Sequence, residues 1–148
     1  MLDCQVAVLE NAYMRYSVTG KAPEPLGTRH PSATPFQAFP TSDGYLVVAL
    51  GFGEENHWSL FCGLLGLPEL MADARFGTGP RRPANHAVLE PILIEAFRRR
   101  TTAEWIDDML AVGIPCGPVN TIADVAADPQ IAHREMLRDV THPTAGTI

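Results

Sequence analysis

The side chains able to do nucleophilic, acid–base or metal chemistry are five histidines, three cysteines and seventeen carboxylates. His30, His57, His86, His133 and His142 fall in different segments. None stands four residues from another, so neither an H-x-x-x-H nor an H-E-x-x-H metal site can form on one helix face. His57 and His86 each open an amphipathic helical pattern, where a histidine satisfied by its neighbours is expected. Cys4, Cys62 and Cys116 are odd in number, widely spaced and without a C-x-x-C pair, which excludes a disulfide framework or a zinc knuckle. Cys116 lies in Gly113-Ile114-Pro115-Cys116-Gly117-Pro118-Val119, a rigid loop. A thiol there attacks only if it is ionised. No sequence neighbour supplies a base or cation, so a small buried side chain in a turn is expected. No G-x-S-x-G elbow or phosphate-binding G-x-x-x-x-G-K-[ST] loop is present. Gly51-Phe52-Gly53 joins a strand to a helix but lacks the third glycine and the following acid of a dinucleotide turn. A tight strand-to-helix turn accounts for it.

The composition narrows the function classes further. A chain of 148 residues suits one domain with a proper core. With 46% apolar residues and a mean hydropathy near zero it has globular character. No apolar run approaches the roughly 18–20 residues that span a bilayer. No basic and apolar leader follows Met1, so a cytoplasmic location is expected. A formal charge of −6 opposes a nucleic-acid surface. Arg98-Arg99-Arg100, the one basic cluster, is placed at a predicted helix end, where cations complement the dipole.

The positioning elements follow from periodicity and punctuation. Leu2, Val6, Leu9, Tyr13 and Tyr16 form one helical stripe, predicting a single helix from Leu2 to Val18 with Gly20 as its stop. That helix begins with no room for an N-cap. The chain stops at Ile148 inside a pattern, and both ends suggest an element cut from something larger. Prolines 23, 25, 31, 35 and 40 forbid helix across residues 21–44. Phe36–Phe39 and Tyr45–Leu50 around Ser42-Asp43-Gly44 predict a hairpin. Helices are predicted over about Glu54–Leu65, ended by Gly66, and Pro83–Arg100, with Pro91 kinking it or marking a nearby start. A capping box at Thr101-Thr102-Ala103-Glu104 predicts another, ended by Gly113. Thr121-Ile122-Ala123-Asp124 opens one more, and Asp128-Pro129 caps a last short one. Met136–Thr141 is a possible strand.

Three ordered segments carry a family resemblance. The first is Gly27-Thr28-Arg29-His30-Pro31 with Pro35-Phe36-Gln37-Ala38-Phe39 and Thr41-Ser42-Asp43-Gly44-Tyr45. The second is Leu64-Leu65-Gly66-Leu67-Pro68-Glu69-Leu70, with Asp73-Ala74-Arg75-Phe76 and Arg82-Pro83-Ala84-Asn85. The third is Gly113 through Asn120 with Asp128-Pro129-Gln130. In this order and spacing the chain resembles the class III (family III) CoA transferases of the CaiB/BaiF type, across nearly its whole length.

The resemblance implies an α+β fold: a short antiparallel sheet packed on several helices, preceded by a linking helix. It divides the chain into that helix, residues 1–20, and a small domain, residues 21–148. Family members add a large Rossmann-like domain, and two chains interlock as rings. Their aspartate nucleophile attacks an acyl-CoA thioester and holds the acyl group as a mixed anhydride before transfer to an acid. The resemblance places that aspartate upstream of residue 1, so no catalytic residue is expected here and Asp3 is first-turn helix polarity. Coenzyme A thioester enters as substrate, no tightly bound cofactor or metal is implied, and neither nucleic acid nor membrane is a partner. A homodimer, or pairing with a large-domain chain, is implied. The family's glycine-rich lid over the active site matches Gly27 to Gln37. Here Thr28 to Ala33 replace consecutive glycines, giving a stiffer loop with Gly27, Arg29, His30, Pro31 and Gln37 as candidate substrate residues. Arg29 or His30 either faces an acyl or acceptor carboxylate or caps local turns. Two other readings stand: a fragment of an α-methylacyl-CoA racemase, and a non-catalytic assembly module or split-enzyme subunit.

Overall fold

The computed structural model describes residues 1–51 and 55–147. The predicted strand-to-helix turn at Phe52 and Gly53, and the helix start at Glu54, lie outside the described residues. The architecture is α+β, with helices packed on a small antiparallel sheet.

The hairpin forms where the alternation placed it. Strand β1 (Phe36–Pro40) pairs antiparallel with β2 (Tyr45–Ala49), with Phe39 opposite Leu46 and Gln37 opposite Val48. Successive strand side chains point to opposite faces. Gln37, Phe39, Leu46 and Val48 therefore share the buried face. Thr41 closes the turn: its backbone N–H donates to the Gly44 carbonyl at 2.9 Å, and its hydroxyl accepts from the Gly44 N–H.

A third strand, β3 (Cys116–Pro118), adds to the other edge of β2, with Cys116 opposite Val48. This corrects the expectation of a loop there. Gly117 and Pro118 carry turn chemistry, but proline is tolerated on an edge strand, where its missing N–H leaves no ladder bond unmade.

Above the buried face lie α3 (Glu55–Leu64), α6 (His86–Phe97) and α7 (Thr102–Ala111), joined by the short α4 (Glu69–Ala72) and α5 (Arg81–Ala84). All three predicted glycine stops, Gly20, Gly66 and Gly113, adopt positive φ at helix ends. At Gly66 (φ 68°) the Leu67 N–H reaches the Cys62 carbonyl at 2.9 Å, and at Gly113 (φ 78°) the Ile114 N–H reaches Met109 at 2.9 Å. These six-to-one bonds satisfy carbonyls that the helices leave open.

The helix predicted over Pro83–Arg100 is two. It breaks at Asn85, whose side-chain amide donates to the Arg75 and Arg81 carbonyls. Pro91 sits inside α6 on its exposed side and forgoes its own N–H bond there. The arginine cluster therefore follows α6 rather than lying in its last turn. Arg100 instead reaches Asp108 at 2.7 Å and stacks on Trp105.

The core is one aromatic knot. Phe97 lies 4.8 Å from Phe39, 6.0 Å from Phe61 and 5.5 Å from Trp105, ring centre to ring centre. The Trp105 indole N–H donates to the Phe97 carbonyl at 2.8 Å, so its burial leaves no donor unmet. Burying one such side chain contributes about 1.5–3 kcal/mol. A helix cap contributes about 1 kcal/mol, so packing dominates. Asp43 ties the hairpin turn to α7, accepting from the Thr102 N–H at 2.8 Å and its hydroxyl at 2.9 Å. Those hydrogen bonds hold its carboxyl below the usual range.

The two ends of the chain are built differently. The helix predicted from Leu2 to Val18 is α1 (Leu2–Val8) and α2 (Glu10–Thr19), separated at Leu9, whose N–H turns back three residues to Val6. No proline or glycine marks the break. At the other end come α8 (Ile122–Ala127), α9 (Pro129–His133) and the small β4 (Thr141–His142) and β5 (Gly146–Thr147) pair. The strand considered over Met136–Thr141 reduces to Thr141 within that pair. None of the four helices buries a residue. Among the described residues, no helix is long and apolar enough to cross a membrane.

Candidate functional site

The stretch singled out as a lid is a fixed loop. Gly27 takes φ 64°, which glycine adopts without strain, and lets the Arg29 N–H turn back to the Leu26 carbonyl. Thr28 accepts from the Ala38 N–H, and the His30 N–H donates to the Phe36 carbonyl at 2.9 Å. The His30 ring lies flat on Phe36 at 4.8 Å. Its Nδ1 accepts from the Ser32 and Ala33 N–H groups, so in the neutral ring the proton sits on Nε2. His30 thus closes a turn through one nitrogen.

A buried arginine holds the far end of this loop. Arg82 donates from Nε to the Thr34 carbonyl at 2.9 Å and from its terminal nitrogen to Phe76 at 3.1 Å. Its guanidinium lies over Trp58 at 4.7 Å. The Pro35 carbonyl accepts from the Leu50 N–H. Arg82 belongs to the second resemblance segment, and Thr34 lies between the two halves of the first.

Gln37 stands apart from the other four candidates. Its side chain is 5% exposed and points toward α6 rather than the loop surface. The amide donates to Glu90 at 2.7 Å, while its oxygen meets His86 Nε2 at 2.6 Å. An ionised carboxylate only accepts, which orients the amide. An amide oxygen only accepts, which places the His86 proton on Nε2. His86 Nδ1 faces Glu90 at 3.7 Å. Burial pushes the His86 pKa down, with Glu90 opposing and Arg29 reinforcing, so the ring is neutral at pH 7. His86 is thus a satisfied core histidine. The signal for this trio was present but divided: a glutamine at core parity in β1, and a His/Glu pair four apart on α6.

Of the five candidates, Arg29 has its backbone fixed and, among the described residues, its guanidinium unpaired. It lines an open cleft with Pro31, Leu26, Arg15 and Lys21. Gly27, Arg29, His30 and Pro31 lie together in one loop, while the Gln37 side chain turns away from them to His86 and Glu90 on α6.

Cys62 and Cys116 are held as thiols rather than thiolates. Burial pushes Cys62 up to about 12, outweighing the attraction of Arg82, and it raises Cys116 as well. Cys116 Sγ rests 3.9 Å from the Ile106 carbonyl. Among the described residues, no three histidine, cysteine or acidic side chains cluster as metal ligands do. The described geometry can present a cation and brace a loop, but it pairs no nucleophile with a base.

Known proteins are similar to this chain in sequence and fold. CoA-transferase family III matches residues 1–148. The chain is 37% identical over 148 residues to succinyl-CoA:glutarate CoA-transferase of Mus musculus, covering all of this chain and 34% of that protein. It is 37% identical over 137 residues to acetyl-CoA:oxalate CoA-transferase of Acetobacter aceti, covering 93% of this chain and 35% of that one. A solved CAIB/BAIF family protein from Brucella suis superposes with a TM-score of 0.80 at 34% identity, over 99% of this chain and 41% of that chain. The chain spans about a third of the length of the curated relatives it matches. Matched throughout in sequence and sharing the fold, the chain belongs to CoA-transferase family III.

Proposed function

We propose that this chain is the small-domain portion of a CoA transferase, moving coenzyme A between an acyl-CoA and a carboxylic acid. Residues 1–20 serve as the linking helix and residues 21–148 as the small α+β domain. The observation that carries this reading is the match over the whole chain to relatives named as CoA transferases.

The chemistry takes place on an aspartate outside this chain. Its carboxylate attacks the thioester carbonyl and the coenzyme A thiolate leaves, forming a mixed anhydride that splits one difficult exchange into easier steps. The loop from Gly27 to Gln37 lies over that intermediate as a preformed cover and excludes water. Arg82 holds the far end of the loop at Thr34, and Gln37 anchors the start of β1 to His86 and Glu90 on α6. Arg29 faces the carboxylate of the acyl group or the acceptor. Coenzyme A is substrate rather than resident cofactor. The working unit is a homodimer or a pairing with a large-domain chain.

The test is an exchange assay with succinyl-CoA and labelled glutarate, run on this chain alone and after adding a large-domain half from the mouse relative. No label should enter the thioester pool with the chain alone, and transfer should appear on mixing. Transfer by the chain alone overturns the placement of the nucleophile. In the active mixture, Arg29→Ala should raise acceptor KM or lower kcat, and unchanged values remove Arg29 from the site.

A second reading, a non-catalytic assembly module, is favoured by the exposed stripe of Leu2, Val6, Leu9, Tyr13 and Tyr16. Gel filtration separates the two. A stable dimer with no response to the large-domain half supports the module.

A further inference from the structure

We propose that the His30 Nε2–H is a fixed, neutral donor that hydrogen-bonds the carbonyl oxygen of the acyl group while coenzyme A is exchanged. The inference rests on the CoA-transferase reading and adds to it a catalytic residue whose partner is the reacting carbonyl rather than a carboxylate.

The ring is held at every point but one. The His30 backbone N–H donates to the Phe36 carbonyl at 2.9 Å, and the ring lies on Phe36 at 4.8 Å with 10° between the planes. Nδ1 accepts from the Ser32 and Ala33 N–H groups at 3.2 and 3.1 Å. A nitrogen that accepts carries no proton, so the proton of the neutral ring is on Nε2. Beyond the turn, Arg82 fixes the Thr34 carbonyl at 2.9 Å. Among the described residues nothing accepts from Nε2. One N–H of defined tautomer is therefore held in place and left open.

Turn closure alone does not require this. His142-Pro143-Thr144-Ala145 repeats the pattern of His30-Pro31-Ser32-Ala33, and its Nδ1 accepts from the Thr144 and Ala145 N–H groups at 3.3 and 3.2 Å. That turn is exposed, and its ring stacks on no other among the described residues. His30 adds the Phe36 stack and the buried Ala33 and Thr34 that follow it.

The surroundings suit a donor to developing charge. Phe36, Ala38, Val47 and Ala49 lie on the sheet face away from the core, with Phe36 opposite Ala49 and Ala38 opposite Val47. These half-buried side chains carry no charge and no hydrogen-bonding group, so the ring stands at the edge of an apolar floor. A hydrogen bond strengthens as water is displaced and the local dielectric falls. When a carboxylate adds to the thioester carbon, the C=O electron pair moves onto oxygen, and it re-forms the double bond as the thiolate leaves. The Nε2–H stabilises the oxyanion between those steps and keeps its own proton throughout. A preorganised donor needs no reorganisation as that charge appears.

Nitrogen-15 spectra of the imidazole rings in the 148-residue chain near pH 7 should show His30 with a bare Nδ1 and a protonated Nε2. His30→Asn then removes the donor alone, because the asparagine oxygen can accept from the same two turn N–H groups. In the exchange assay with the large-domain half, this variant should lower kcat by about 100-fold with acceptor KM unchanged, the usual result of removing one oxyanion donor. Amide hydrogen exchange at Ser32 and Ala33 should match the parent, which shows that the turn is kept. Three results overturn the role: a protonated Nδ1, a kcat equal to that of the parent, or a loss of kcat accompanied by faster exchange at Ser32 and Ala33. A parent mixture that exchanges no label overturns the transferase reading and this proposal with it, whereas the tautomer is measured independently of that assay.

Discussion

The middle of the chain and its two ends use the same local devices with opposite consequences. Both α7 and α8 begin with a complete capping box, Thr101 with Glu104 and Thr121 with Asp124. Helix α7 then buries Trp105 and Met109 against the aromatic knot, while α8 buries nothing. Helices α1 and α2 carry a longer apolar stripe than either, and Leu2, Val8 and Val18 remain at least 75% exposed. Local signals start a helix, but burial of an apolar face stabilises it. In this molecule the two are separated along the chain. The middle is a finished core, and the ends present apolar surface of the kind that marks an interface.

The largest expected effect lies at the centre of the core. Phe97→Ala should cost about 3–5 kcal/mol in denaturant unfolding, because the ring is fully buried among three other aromatics. A loss below about 1 kcal/mol would dissolve the distinction between core and ends.

Arg82→Met comes next. It keeps the bulk of the chain stem but leaves the Thr34 and Phe76 carbonyls without their donor. A loss of about 2 kcal/mol is expected, with faster amide exchange across residues 28–35.

The paired caps sharpen the comparison most cleanly. Thr101→Ala should lower global stability by about 1 kcal/mol. Thr121→Ala should melt its own helix with less than about 0.5 kcal/mol of global effect. Circular dichroism with chemical denaturation checks both, and equal losses would show that α8 belongs to the core.

The smallest effect is one of pH. Burial holds the His86 pKa below its ordinary value, so the unfolded chain binds the proton more readily. Stability is then complete above the unfolded value of about 6.5 and declines as pH falls through the folded value. Thermal melts from pH 7.5 to 5.5 should fall more steeply for the parent than for His86→Gln, and parallel slopes would discount the site.

What the sequence made legible follows the same division. Capping boxes, the Asp128-Pro129 start and the glycine stops depend on residues within a few positions, and each appears where expected. The Leu9 break was hidden because the stripe runs through it without proline or glycine. Strand β3 was hidden because Gly117 and Pro118 have turn chemistry, and only the open edge of β2 makes them a strand. Arg29 and His30 were visible through the ordered motifs. The pairing of Gln37 with His86 spans 49 positions, and the cleft beside Arg29 takes Arg15 from a separate helix. Such long-range partners leave no periodic trace.

Amide hydrogen exchange on the isolated chain measures the separation of core from ends most directly. Protection should approach the global unfolding limit across β1, β2, α3, α6 and α7, while α1, α2, α8 and α9 exchange through local opening with little protection. Protection of the terminal helices equal to that of the core would contradict the division, showing that these helices need no further partner to be stable.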